Sequence, residues 1–182
     1  MIKNRNMKTI KILILIGFLV GLLSCHKNDT EEISNPDVGN YIVLLKADSY
    51  EFSTLPAFSP KDIPALMVYI NDNSVVDKFP YNLISSYGTP PNPNYRLGVL
   101  VLWTIESIRV ATRDNKLSPL FPSQNPFLQT KSEPIEWFID HDNEAYETVR
   151  QAYSNWWNEN KHKNINSFCS IDPLENTNYR WQ

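Results

Sequence analysis

The chain has 182 residues and a formal net charge of −3 at pH 7, with 20 acidic and 17 basic side chains. Four of the basic residues lie before residue 12, so the chain from Cys25 onward has 13 basic side chains against 20 acidic ones. This acidic balance argues against nucleic acid or anionic lipid as the main partner, because both are negatively charged. The 158 residues from Cys25 to Gln182 are enough for one domain with its own core.

The N-terminus has the layout of a secretory signal. Four cations precede a 12-residue apolar run, Ile12 to Leu23, which is interrupted only by two glycines. A transmembrane helix needs about 20 apolar residues, so this run is too short for a permanent span. The sequence Leu-Leu-Ser-Cys, residues 22–25, resembles the lipobox of bacterial lipoproteins. That resemblance implies cleavage before Cys25 and acylation of its thiol and of the new amino terminus.

Lipidation at Cys25 predicts a membrane-anchored protein. The next residue is His26 and not aspartate. By resemblance to the enterobacterial sorting pattern, this favours the outer membrane, on either its periplasmic or its cell-surface side. The alternative is a cleaved secretion signal with an incidental cysteine. Cys169 is the other thiol of the chain and is expected to be buried and unreactive.

The predicted organisation is a signal peptide over residues 1–24, a flexible tether over 25–37 and a single helical domain over 38–182. The tether is assigned because residues 26–37 are mostly polar. The first predicted helix, Val38 to Lys46, has its apolar residues at helical spacing. A second helix is expected to begin at Ser59-Pro60-Lys61-Asp62, where serine suits the N-cap and proline the first turn, and to end near residue 71.

The middle of the chain is the least regular part of the sequence. The prolines at 90, 91 and 93 exclude a regular helix or strand. By contrast, residues 95–112 form an apolar run that is longer than a typical strand of about 5–6 residues. Its apolar positions also fit a 3.6-residue period, which predicts a central, mostly buried helix. Residues 115–130 are predicted to be a proline-rich connector.

The last predicted helix begins after Asp142 and runs to about Asn160. Its apolar face includes Val149, Tyr153 and Trp156. The tail over residues 164–182 is polar, with aromatic side chains as its possible anchors. Phe79-Pro80 recurs as Phe121-Pro122 after 42 residues, and HEAT and armadillo repeats have periods of about 40–47 residues. The predicted fold class is therefore all-α, with HEAT-like layered helices joined by proline-rich extended loops.

Three short stretches carry a family resemblance: FPYNLISS over residues 79–86, LWTIESIR over 102–109 and AYSNWW over 152–157. With them, residues 38–160 resemble a group of small bacterial lipoproteins that carry a domain of unknown function. The resemblance implies an all-helical, HEAT-repeat-like fold. It implies no known activity, no cofactor and no catalytic residue, and none is predicted.

Glu106 and Arg109 lie at positions i and i+3 of the predicted central helix. One interpretation is a charged pair that faces a cleft, with Glu106 as a general base. The other is a structural pair that braces the loops after Phe79 or Phe121. A charged pair in a helix that is apolar all round is expected to be partly buried and to need partners, which favours the structural interpretation.

The aromatic residues suggest a candidate binding surface. Trp156 and Trp157 are adjacent, so one helix face cannot bury both. Trp157, Tyr146 and Trp103 lie off the predicted core stripes. They could form an exposed patch that binds a protein partner or stacks on a sugar ring. The alternative is that Trp157 packs beneath the proline-rich loops.

Evidence for catalysis or metal binding is weak. In Asp140-His141-Asp142 a histidine adjoins two acids, but consecutive residues of an extended segment point to alternating sides. Helix capping by aspartate is therefore the preferred interpretation, and no metal site is predicted. The acids in this part of the sequence are numerous enough for a carboxylate pair of the glycosidase type. These acids are Glu133, Glu136, Asp140 and Asp142.

The predicted function is that of a membrane-anchored, non-enzymatic helical module that binds another envelope protein. Helical repeat layers commonly present a concave surface to such partners. One alternative is a glycan-binding accessory protein that uses exposed aromatic side chains. The other is a carboxylate-dependent hydrolase.

Overall fold

The structure is a computed structural model that describes residues 37–79, 95–123, 125–135 and 143–182. All of them belong to one compact unit, residues 35–182. The predicted signal peptide, the predicted lipidation site Cys25 and the tether up to residue 36 lie outside the described residues. The same is true of Asp140-His141-Asp142, of Glu136 and of the loop after Phe79.

The described residues contain four α-helices. Helix α1 is Val38–Lys46, α2 is Ile63–Met67, α3 is Leu97–Arg113 and α4 is Asn143–Asn160. Two 3₁₀ turns, Pro60–Asp62 and Ile165–Ser167, lie before α2 and after α4. All four helices lie where the hydrophobic periodicity placed them, although α2 is shorter than expected.

Local side-chain chemistry starts the first two helices. The carboxylate of Asp37 accepts a hydrogen bond of 2.7 Å from the backbone N–H of Asn40 and caps α1. The carboxylate of Asp62 accepts hydrogen bonds from the backbone N–H and the hydroxyl of Ser59, at 2.8 and 2.9 Å. These bonds satisfy backbone and side-chain donors ahead of α2, which begins directly after the predicted Ser-Pro-Lys-Asp signal.

Two small antiparallel sheets accompany the helices. Strand β1, Val75–Val76, pairs with β2, Tyr95–Arg96, with Val75 opposite Arg96. Strand β3, Leu128–Thr130, pairs with β4, Tyr179–Trp181, with Gln129 opposite Arg180. The prediction of an all-α fold of HEAT-like layered helices was therefore wrong, and the fold is mixed α/β. Strands of two or three residues are too short to show the alternation that marks a strand in sequence.

Helix α3 forms the centre of the core. Every residue from Leu97 to Arg109 is buried. At its start, Gly98 donates its backbone N–H to the carbonyl of Asp72 at 2.8 Å. A Cβ atom at residue 98 would overlap the carbonyl of Ile70, so glycine permits this close approach. Within the described ranges, no helix combines the length and hydrophobicity needed to cross a membrane.

The C-terminal segment, residues 161–182, packs back onto the domain. Phe168 is buried against Trp156, with ring centroids 5.2 Å apart. Lys131 donates from Nζ to the carbonyls of Leu174 and Glu175, at 2.7 and 3.1 Å. Together with the β3–β4 pairing, these contacts hold the polar tail in one place. That position creates the groove described next.

Candidate functional site

A groove of about 790 Å³ lies between α4 and residues 171–177 of the C-terminal segment. We call it the α4 groove. One wall is the polar face of α4: Glu144, Glu147, Thr148, Gln151, Asn155 and Glu159. The floor contains the buried or half-buried Ala152, Trp156 and Asn160. The opposite wall is Ile171, Asp172, Pro173, Asn176 and Thr177, and Lys163 lies just beyond the helix.

The amphipathic pattern of α4 explains the polar wall. Its groove residues recur at spacings of three and four, so they share one helix face. The opposite face contains the buried Tyr146, Val149 and Tyr153. Burial of that face against the core fixes the rotation of the helix, and the polar side chains are thereby directed into the groove.

Trp156 connects the groove to the core. Its side chain is 4 % exposed and makes edge-on contacts with Tyr153 and Phe168, with centroid distances of 6.3 and 5.2 Å. Its indole Nε1 is buried and has no hydrogen-bond acceptor in the described part of the chain. An unpaired buried donor is unfavourable, so this atom stands out among the groove residues.

The structure brings Glu106 and Arg109 together in the core. Arg109 donates from Nη2 and Nε to the two oxygens of Glu106, at 2.6 and 2.8 Å. Their side chains are 8 % and 4 % exposed. Arg109 also donates from Nη1 to the carbonyl of Cys169 at 2.6 Å. The loop that Arg109 braces therefore belongs to the C-terminal segment, which the sequence did not indicate. Cys169 itself is buried, as predicted.

Tyr153 extends this buried network from α3 to α4. Its hydroxyl donates to Oε2 of Glu106 at 2.8 Å and accepts from Nε1 of Trp181 at 2.9 Å. Burial raises the pKa of Tyr153 well above its ordinary value, and the negative charge of Glu106 raises it further. Burial lowers the pKa of Arg109, but its hydrogen bonds to Glu106 and the charge of Glu106 outweigh burial and raise it. The network therefore keeps a neutral tyrosine beside an ion pair, and it ties both groove walls to α3.

The predicted aromatic binding surface is wrong for Trp103 and Tyr146. Trp103 is fully buried, stacks on Phe121 at 5.2 Å and donates from Nε1 to Ser123 at 2.7 Å. Tyr146 is 2 % exposed, and the guanidinium groups of Arg96 and Arg150 lie 5.4 and 5.1 Å from its ring centroid. Both positions lie off an apolar stripe, but other parts of the chain cover them.

Trp157 is half-buried and contacts the ring of Phe168, with centroids 6.5 Å apart. It therefore packs against the C-terminal segment. Trp157 is not among the residues that line the α4 groove. The groove residues themselves were missed as a site. The polar face of α4 could be read from its spacing, but nothing local in the sequence places residues 171–177 opposite it.

The described residues bear on metal binding and on catalysis by carboxylates. Among them, no three His, Cys, Asp or Glu side chains converge closely enough to hold a metal ion. Of the acids proposed for a hydrolase, Glu133 is exposed. The carboxylate of Glu106 accepts three hydrogen bonds within the core network and does not line the groove. This arrangement suits a structural role for Glu106 better than proton transfer to a substrate.

Comparison with known proteins identifies the family. No curated protein and no solved structure matches the chain. A family model described as "Domain of unknown function (DUF4943)" matches residues 32–182. The predicted resemblance to a domain of unknown function is confirmed, and it extends beyond the expected residues 38–160 at both ends. The chain therefore belongs to the DUF4943 family.

Proposed function

We propose that the chain is a lipoprotein of the cell envelope, anchored in the outer membrane through Cys25, whose domain binds another envelope protein without catalysing a reaction. The lipobox-like sequence over residues 22–25 supports the anchor. The α4 groove is the single observation that supports binding. Its volume of about 790 Å³ lies within the range of about 300–1,000 Å³ that is typical of ligand sites.

The groove is suited to binding because both walls are held in place. One wall is an 18-residue helix, and a rigid element positions side chains better than a loop does. The other wall is held through Arg109 to Cys169 and through Lys131 to Leu174. Walls that are ordered before a partner arrives reduce the entropy lost on association.

A protein partner agrees better with this groove than a glycan does. The glycan alternative depended on open aromatic faces, yet Trp103 and Tyr146 are buried and Trp157 is half-buried against the ring of Phe168. The groove instead offers carboxylates, amides and hydroxyls from both walls. We therefore expect isothermal titration against a glycan panel to give no saturable heat. Saturable binding of one sugar would favour the glycan alternative.

Two measurements test the proposal. Mass spectrometry of material purified from membranes is expected to show an acylated N-terminal Cys25, and an unmodified thiol in soluble material contradicts the anchor. A photo-crosslinking amino acid at Asn155, in the groove, is expected to capture one envelope protein. The same amino acid at Glu51, which is exposed outside the groove, serves as the control. Equal capture from both positions contradicts a binding role for the groove.

A further inference from the structure

We infer that the α4 groove binds an extended polypeptide segment with lysine or arginine side chains; this inference rests on the proposed protein-binding function. The charge of the lining is the first argument. Of the described residues that line the groove, four carry carboxylates and one, Lys163, carries an ammonium group. Lys163 already donates to Oδ1 of Asn160 at 2.8 Å. A concave surface with an excess of one charge attracts ligands of the opposite charge.

The availability of these carboxylates is the second argument. Glu147 forms an ion pair with Arg150 of its own helix. Glu159 and Asp172, one on each wall, form no ion pair with any residue that the structure describes. The Oδ1 atom of Asp172 accepts a hydrogen bond of 2.8 Å from the backbone N–H of Leu174, and this bond orients the carboxylate. A cation in the groove therefore meets carboxylates from two sides.

The length of the polar wall favours a chain over a compact ligand. Glu144 and Glu159 are 15 positions apart on α4. At a rise of about 1.5 Å per residue this separation is about 22 Å. An extended peptide rises about 3.3 Å per residue, so about seven residues would span that distance. Such a segment could place several cationic side chains along the wall.

The side-chain amides of Gln151, Asn155 and Asn176 line the groove. They suit a peptide main chain, because each amide has both donors and an acceptor. Gln151 donates to Oδ1 of Asn155 at 2.7 Å, so these two amides already orient each other. Among the described residues, the side-chain carbonyl of Gln151 and the side-chain NH₂ group of Asn155 have no hydrogen-bond partner, so both can pair with a ligand. Asn176 on the opposite wall offers a further amide. Main-chain N–H and C=O groups could pair with this set regardless of the ligand's side chains.

The floor provides an independent indication of a ligand. Trp156 is more than nine-tenths buried, lines the groove, and has an Nε1 donor without an acceptor among the described residues. A main-chain carbonyl bound at the floor would supply the acceptor that this donor lacks. Ile171, 46 % exposed on the opposite wall, offers apolar surface to the methylene groups of a lysine side chain.

Fluorescence anisotropy with labelled heptapeptides tests the inference on the full chain in detergent. The probe is a blocked Gly-Lys-Gly-Lys-Gly-Lys-Gly peptide. The matched control peptide carries ε-acetyl-lysine at the same three positions, which removes the charge and keeps the side-chain length. We expect saturable binding of the lysine peptide, and binding of the acetylated peptide weaker by about tenfold or more. Affinity for the lysine peptide should also fall as salt is raised.

Two double variants locate the binding. E144Q/E159Q removes two charges inside the groove, and E51Q/D77N removes two exposed charges outside it. The Kd for the lysine peptide is expected to rise about tenfold in the first double variant and less than about twofold in the second. Equal effects in both, equal binding of the two peptides, or no saturable binding overturns the inference. If crosslinking from Asn155 captures a partner while the lysine peptide does not bind, the proposed function stands and this inference alone fails.

Discussion

Helices α3 and α4 have nearly the same length but opposite relations to solvent. Helix α3 is buried on every side from Leu97 to Arg109, including its charged pair. Helix α4 buries one face and directs the other into the groove. The polar groups of α3 are therefore paired within the protein, whereas α4 has polar groups that a partner could use. This difference separates residues that stabilise the fold from residues that are candidates for binding, and mutations can test it.

The largest effect is expected from Glu106→Ala. This change leaves the guanidinium of Arg109 buried without its carboxylate, and breaking a buried ion pair in this way costs about 3–5 kcal/mol. Chemical denaturation should show a lower free energy of unfolding, and the melting temperature should fall by several degrees. The double variant Glu106→Leu with Arg109→Met is the control, because it removes both charges and is expected to cost less. An unchanged melting curve for Glu106→Ala would return this residue to candidacy for catalysis.

Gly98→Ala tests the close packing at the start of α3. A Cβ atom at this position overlaps the carbonyl of Ile70, so backbone must move. Overpacking of this kind typically costs about 1–3 kcal/mol. Gly39→Ala in α1 is the matched control, since the nearest described atom to a Cβ there is Oδ1 of Asp37, at 3.4 Å. Replacing a helical glycine with alanine without a clash is expected to stabilise by about 0.5–1 kcal/mol. A higher melting temperature for Gly98→Ala than for Gly39→Ala would contradict the described packing.

Tyr153 allows a pH test of the contact between the two helices. Its pKa is raised in the folded protein, so deprotonation above pH 10 favours the unfolded chain. The stability that this residue contributes is therefore present below about pH 10 and is lost as pH rises towards the folded pKa. The difference in unfolding free energy between the wild type and Tyr153→Phe should shrink by about 1.4 kcal/mol per pH unit above that value. Buried tyrosines common to both proteins cancel in this difference. If the difference in unfolding free energy stayed constant from pH 8 to pH 11, the pKa of Tyr153 would not be raised in the folded protein.

The sequence predicts the two helices but not the distant segments that pack beside them. The apolar run before Arg109 identified α3 as central, and the spacing of Val149, Tyr153 and Trp156 located α4 and its buried face. The pairing of β3 with β4 escaped prediction because their residues are about 50 positions apart and each strand has only three residues. The groove wall formed by residues 171–177 was not predicted for a related reason. Arg109 holds the carbonyl of Cys169, which lies 60 positions away, and no local pattern encodes that bond.

The smallest effect on stability is expected for Asn155→Ala, on the groove face of α4. Asn155 is exposed, and within the described part of the chain its side chain bonds only to Gln151 of the same helix. Its loss should therefore change the unfolding free energy by less than about 0.5 kcal/mol. Ser107→Ala in α3 is the contrasting variant, because the buried Ser107 hydroxyl donates to the carbonyl of Leu120, in the connector after the helix. Removing that hydrogen bond should cost about 0.5–1.5 kcal/mol. For binding of the lysine peptide, the larger effect is expected from the other variant. Binding should be weaker in Asn155→Ala and unchanged in Ser107→Ala. If both variants lost stability equally and bound equally, α4 would be a second core helix, and the distinction between the two helices would fail.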